Sequence, residues 1–289
     1  MAMAMLSVCA CVVLPQQVSA QSARYSTDSS LENTFNRGLN YFHAGDYANA
    51  YTYMKSAADA GHVKSFFFLG WMYDHGLGVT LSYETAFYYY RTAALRGDSD
   101  AQFSVGWFYQ SGLAVPQSYS RAAEWYRKSA DQGNFQAQFR LGYLYEFGLG
   151  VPQSYKKAVN YYILAAEQNY ACAQHKVGLF YEHGWAVPKS YKKALNWIQL
   201  AAEQGHAGGQ FSYGYMHDHG LGTSVNPGVA TYWYKLSAAQ GHAEAQYFLG
   251  MSYLRGRGVN KSLSEAKKWL SKAAAQGYTR AQVKLNELF

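Results

Sequence analysis

Six glycines stand at a constant spacing of 36 residues, at Gly70, Gly106, Gly142, Gly178, Gly214 and Gly250. Nothing else in the chain restricts its fold so tightly. A second glycine column keeps the same step at Gly76, Gly112, Gly148, Gly184, Gly220 and Gly256. Between them run Tyr73, Tyr109, Tyr145, Tyr181, His217 and Tyr253, followed by Ala86, Ala122, Ala158, Ala194, Ala230 and Ala266. Self-similarity at such a period marks a stack of supersecondary units, none of which buries its apolar face without a neighbour. Full units fall at 63–98, 99–134, 135–170, 171–206, 207–242 and 243–278. Residues 31–62 form an atypical first unit around Phe35, Gly38, Tyr41 and Gly45-Asp46. Residues 279–289 restart the pattern with Ala281, Gln282 and Leu285, as a lone capping helix does at the end of a solenoid.

Each unit reads as two helices. In 99–134 the first carries Ala101, Val105 and Tyr109, a helical i, i+4, i+8 stripe. Gly106 lies beside that stripe, where glycine costs about 1 kcal/mol relative to alanine. Its recurrence predicts close approach of a neighbouring helix. The helix ends near Ser111-Gly112, and 112–116 makes the loop. The second helix opens at Ser118, whose hydroxyl suits an N-cap; Ser82, Ser154, Ser190, Asn226 and Ser262 hold the same place. Pro227 fits the first helical position, where its missing N–H costs nothing. Ala122, Trp125, Tyr126, Ser129 and Ala130 form the inward face, and Gly133 ends the unit in a turn. The reading is all-α: an α/α superhelical solenoid of helix hairpins.

Composition agrees with a folded chain, with 49% apolar and only 15% charged residues. The formal charge of +7 favours an acidic partner. Lys156-Lys157, Lys192-Lys193 and Lys267-Lys268 are short and dispersed, which reads as solvated helix faces and not as a nucleic-acid patch. Residues 2–14 are an apolar run of signal-peptide length, and Val18-Ser19-Ala20 supplies small residues before a cleavage point. A signal peptide at 1–20 is therefore expected, then a short disordered leader at 21–30 and the solenoid at 31–289, in the periplasm or outside the cell. No Lys or Arg precedes Arg24, so the usual positive n-region is missing. A lipid anchor on Cys9 is disfavoured by the bulky Val8. Loss of Cys9 and Cys11 leaves Cys172, expected to be an inert thiol that forms no internal disulfide. No other segment is apolar enough for a membrane span.

The run Ala-Glu-Ala-Gln-Tyr-Phe-Leu-Gly-Met-Ser-Tyr-Leu-Arg-Gly-Arg-Gly-Val at 243–259, followed by Ala266, Trp269 and Ala273-Ala274-Ala275-Gln276-Gly277, resembles a Sel-one-like repeat (SLR), related to the tetratricopeptide repeats (TPR). The resemblance covers the chain from about Leu31 to Phe289. It implies stacked α/α hairpins and a protein-protein interaction scaffold: a host-interaction factor, an envelope-assembly adaptor or an immunity protein of an exported bacterial kind. The family's acidic residue at the second-helix cap is replaced here by Ser or Asn. The fifth unit is an outlier, with Gly209 for alanine, His217 for tyrosine and Thr223-Ser224-Val225 in its loop, which marks it as looser or as a ligand entry.

Catalytic readings fare poorly. Ser154, Ser190 and Ser264 each begin a Ser-x-x-Lys, the start of a penicillin-recognising acyl-enzyme signature, but the companion Ser-Asp-Asn and Lys-Thr-Gly motifs are missing. That leaves a cell-wall or β-lactam-directed enzyme as the alternative to the scaffold, beside a glycan-binding envelope protein. His183 and His219 fall at equivalent helix ends, where stacked units could let them share a divalent metal. Consecutive residues there point about 100° apart, however, and exposed polar helix ends are the simpler reading. No cofactor motif is present. The family places first helices on the concave surface, so two variable columns are candidate groove residues. One runs Phe68, Ser104, Arg140, Lys176, Ser212, Phe248, and the other Met72, Phe108, Leu144, Phe180, Met216, Ser252. Within them Phe68, Phe108, Arg140, Leu144, Lys176, Phe180, Met216 and Phe248 are the expected contacts of a protein partner, since aromatic, Met and Arg side chains suit interface cores. Packing between helices is the competing reading for the second column. A monomer is expected, because a capped solenoid leaves no open end.

Overall fold

The computed structural model describes residues 29–288, and those residues form fifteen α-helices. First helices of the repeats are α1 (Ser29–His43), α3 (Val63–His75), α5 (Ser99–Ser111), α7 (Phe135–Phe147), α9 (Ala171–His183), α11 (Ala207–His219) and α13 (Ala243–Arg255). Second helices are α2 (Tyr47–Asp59), α4 (Tyr83–Leu95), α6 (Tyr119–Asp131), α8 (Tyr155–Glu167), α10 (Tyr191–Glu203), α12 (Pro227–Ala239) and α14 (Leu263–Ala275), and α15 (Thr279–Leu288) closes the chain. Helix α1 starts at Ser29, so the last two residues of the expected disordered leader are helical. The expected signal peptide lies outside the described residues.

The chain divides after Ser154 into two compact units. Unit 1 contains α1 to α7 and unit 2 contains α8 to α15. Within each, every helix packs chiefly on its neighbours in sequence, first helix on second and second on the next first, so each unit is a solenoid of helical hairpins.

The repeating glycine has a direct cause in both units. A Cβ on Gly106 would sit 2.6 Å from the Tyr126 ring, and one on Gly178 would sit 2.3 Å from Ile198 Cγ1. Within these hairpins the second helix lays a bulky side chain over the bare backbone of the first, and Tyr90, Tyr126, Ile198, Tyr234 and Leu270 are buried there. That burial offsets the conformational cost of a mid-helix glycine. The other glycine column ends the first helix: Gly112 adopts φ 75° and donates its N–H to Phe108 O. Second helices begin as expected, with Ser118, Ser190, Asn226 and Ser262 accepting from Arg121, Lys193, Val229 and Glu265 N–H groups.

Successive hairpins are joined by buried glutamines. In unit 1 the Gln102 amide donates to Ala94 O (3.1 Å) and its oxygen accepts from Gln132 Nε2 (2.8 Å). In unit 2 Gln174, Gln210 and Gln246 donate to Ala166, Ala202 and Ala238 carbonyls, and Gln204, Gln240 and Gln276 donate back to them. Each amide satisfies a carbonyl at a helix C-terminus and is itself satisfied from the next turn, which removes the penalty of burying it.

Candidate partner-binding faces on the first helices

The two candidate columns part company in the structure. Phe108, Leu144, Phe180 and Met216 are buried with no accessible surface to speak of. They are packing residues and not groove residues, as is Phe68, which is 3% exposed between Phe35 and Phe42. The rings show why. Phe108 meets Phe87 and Tyr90 of α4, and Phe180 meets Tyr155 and Tyr162 of α8, in each case the second helix of the preceding hairpin. That column fills the joint between hairpins, where large apolar side chains contribute most.

Arg140, Lys176 and Phe248 keep a half-exposed side chain. In unit 1 the Arg140 guanidinium lies 4.9 Å from the centre of the Trp107 ring, a cation–π contact. Trp107 belongs to a column the sequence reading passed over: Trp71, Trp107 and Tyr143, each directly after the repeating glycine and each half-buried. One step along a helix turns about 100°. A residue next to a glycine pressed against the second helix therefore faces away from that helix, and this was the signal available. Trp71 stacks on His75 (4.1 Å) and Tyr143 lies against Phe147 (4.6 Å). Burial raises the Tyr143 phenol, against the opposing pull of the Arg140 charge.

In unit 2 the corresponding faces are mixed. Lys176 Nζ lies 6.0 Å from the Tyr162 ring centre. Phe248 packs against Phe211 (5.5 Å) and Tyr215 (5.6 Å). His219 stacks on Tyr215, with Nδ1 3.0 Å from the Tyr215 carbonyl, while His183 packs edge-on to Trp185. Each histidine is thus engaged in its own helix end. Among the described residues no three His, Cys, Asp or Glu side chains gather as metal ligands would.

The outlying fifth unit keeps two regular helices. A Cβ on Gly209 would meet Ala201 Cβ at 2.9 Å, so glycine there is a packing requirement. His217 packs edge-on to Tyr213, and both its ring nitrogens are shielded without a hydrogen-bond partner among the described residues; burial lowers its pKa accordingly. Ser190 Oγ caps α10 by accepting the Lys193 N–H at 3.3 Å, and Ser264, in the first turn of α14, places its Oγ 3.1 Å from the cap hydroxyl of Ser262. Cys172 is buried. No described helix is long and apolar enough to cross a membrane.

The hairpins, the glycine-on-ring contact and the glycine caps all repeat with one period, and the Sel1 repeat pattern matches residues 35–62, 67–98, 99–134, 135–170, 173–206, 207–242 and 243–278. The chain belongs to the Sel1 repeat family. Members of this family generally mediate protein–protein interaction and are typically non-catalytic scaffolds. A Sel1 repeat protein from Oxalobacter formigenes is similar in structure, with a TM-score of 0.77, 31% identity, and coverage of 83% of this chain and 96% of that one. A protective antigen of uropathogenic Escherichia coli with an SLR fold gives a TM-score of 0.66 and 31% identity over 90% of this chain. The match spans 64% of that longer protein. None of the curated proteins compared with the chain matches it.

Proposed function

We propose that this Sel1 repeat chain is a non-catalytic scaffold of the periplasm or cell exterior that holds a protein partner on its first-helix faces. The observation that carries the reading is the Trp71, Trp107 and Tyr143 column with Arg140 seated on Trp107. Half-exposed aromatics and arginine are the side chains that dominate protein interfaces. Holding them on rigid helices keeps their ordering cost low. In unit 2, Lys176, Tyr215 and Phe248 occupy the related first-helix positions. The helix-cap role of Ser190 and the pairing of the Ser264 hydroxyl with the cap hydroxyl of Ser262 support the non-catalytic side of the reading.

The test is affinity capture from envelope and culture fractions with chain starting at Gln21. It is run beside an Arg140→Glu/Lys176→Glu variant matched for thermal stability. A partner recovered by the first and lost by the second is the expected result. Equal recovery by both variants overturns the placement on the first helices. An envelope-free partition of the full-length chain in its host overturns the export.

A further inference from the structure

In the inter-helix loops, Leu77, Leu113, Leu149 and Leu221 share one repeat position, and all four are half-buried. The same position in the fourth full unit is Trp185, which is 38% exposed. Exposing an indole where leucine suffices serves no packing purpose. Nor is the ring loose. It stacks on Tyr155 with an interplanar angle of 17° at 6.0 Å, and it is wedged edge-on against Phe180 and His183. Tyr155 is itself 42% exposed, so the pair forms a fixed aromatic platform on unit 2.

Lysines occupy the turns next to it in the chain. Gly222, in the next loop of unit 2, shows how these loops lie on the first turn of the preceding second helix, since its Cβ would strike the Tyr191 carbonyl at 2.5 Å. The Trp185 loop meets the start of α8 in the same way, through Tyr155. That start reads Tyr155-Lys156-Lys157, the start of α10 reads Tyr191-Lys192-Lys193, and Lys189 sits in the loop between. Lys156, Lys189 and Lys192 are exposed. Lys189 places its Nζ 4.7 Å from the Tyr191 ring centre, and Lys193 places its own 5.2 Å from Tyr181. The first two turns of both helices and the loop contain no carboxylate. Glu182 is half-buried, and burial raises its pKa against the pull of His183 and Lys189. Lysines in a first helical turn oppose the helix dipole, so local stability does not account for them, whereas an anion docked there gains from both lysines and dipole.

We propose that the Trp185–Tyr155 platform with Lys156, Lys189 and Lys192 is a binding site for an acidic polysaccharide. A pyranose ring would stack on the aromatic face and its carboxylate groups would pair with the lysines. A flat, exposed aromatic surface held by its neighbours suits a sugar ring. Peptide recognition draws on pockets that receive anchor side chains, whereas a stacked aromatic pair offers a ring face. The site is separate from the first-helix faces proposed for a protein partner and stands or falls independently of them.

The test uses the full chain with polygalacturonate, neutral dextran and phosphatidylglycerol vesicles as probes. Trp185→Leu is the informative variant, because four other repeats already carry leucine there and the fold tolerates it. Polygalacturonate binding is expected to weaken about tenfold in Trp185→Leu, the size of one lost aromatic contact. It should also weaken in Lys156→Glu/Lys192→Glu, with no binding to dextran and no loss of protein-partner capture by Trp185→Leu. Unchanged polygalacturonate binding in either variant overturns the site. Binding to vesicles but not to polygalacturonate overturns the ligand class in favour of a membrane surface.

Discussion

The two units share one repeat and differ in how their hairpins are joined and charged. Residues 1–154 hold ten basic and eleven acidic residues, whereas 155–289 hold fifteen and seven, so the basic excess of the chain belongs to the second part. The turns that start the first helices differ in the same sense. In unit 1, α5 is capped by Asp98, which together with Asp100 receives Lys64 from the preceding repeat at 3.1 Å or less, and Asn134 of the next turn donates to Asp100. His62 caps α3 with Glu32 beside it. In unit 2, His206 and His242 cap α11 and α13 through Nδ1, and the His175 ring lies 4.9 Å from His206. One joint is a half-buried ion network and the other a cluster of imidazoles. A repeat thus fixes where a cap is needed but not which chemistry supplies it, and the choice decides how each unit answers to pH.

The largest expected effect comes from breaking the ion network. Lys64→Met leaves the half-buried Asp98 and Asp100 without their cation, at a cost of up to about 3 kcal/mol in urea unfolding. Adding Asp98→Asn and Asp100→Asn should restore most of it, since asparagine also caps a helix. Failure of that rescue would show that Lys64 acts through its packing.

Acid should separate the units next. Burial holds His175 well below its ordinary range, with His206, Lys176 and His242 charges adding to the effect, and burial with the His206 charge brings His242 down to about 4. A base with a depressed native pKa binds fewer protons folded than unfolded, so stability is complete above about 6.5 and falls as the pH drops toward 4. For His242 alone the loss approaches roughly 3 kcal/mol. In unit 1 the sign is opposite for Asp98, whose pKa burial raises despite Lys64, so acidification toward its unfolded pKa favours the folded state. His62, lowered by burial against the Glu32 charge, acts in the same sense as the histidines of unit 2. Hydrogen exchange corrected for intrinsic rates should therefore show protection lost first in 155–288 between pH 6.5 and 4. His242→Asn should abolish most of the difference, and equal loss in both units would end the comparison.

The glutamine joints are common to both units and serve as the control. Gln102→Leu and Gln246→Leu each orphan a helix-end carbonyl and a partner amide, costing about 1–3 kcal/mol alike. A large inequality would place the real difference between the units here and not in the caps. Smallest of all, Ser118→Ala and Ser190→Ala should each cost about 1 kcal/mol in thermal unfolding, as a lost N-cap does.

Much of the fold was legible because its signals are local. Ser118, Asn226-Pro227 and Gly112 act within one turn of themselves, so their roles follow from residue type and position. The export segment lies outside the described residues and stands as an expectation. The candidate site was only partly legible. Phe108 and Phe180 carried interface-type side chains yet point into the preceding second helix, while Trp107 went unnoticed one residue from the glycine that sets its direction. Trp185 was visible as a letter in a column of leucines, but its exposure and its Tyr155 partner were not. The glutamine column repeats as strictly as the glycines, and only its contacts reveal what it satisfies.

The sequence by itself determined the period, the hairpin in each unit, the caps and the bare glycine face, because backbone conformation responds to near neighbours. Only the tertiary structure decided which aromatic side chains are core and which are surface. It also decided that His175, His206 and His242 meet and that Lys64 reaches two carboxylates of the next repeat. Those facts depend on how one hairpin is rotated against the next, and that rotation is set by the summed packing of many side chains, which no single column records.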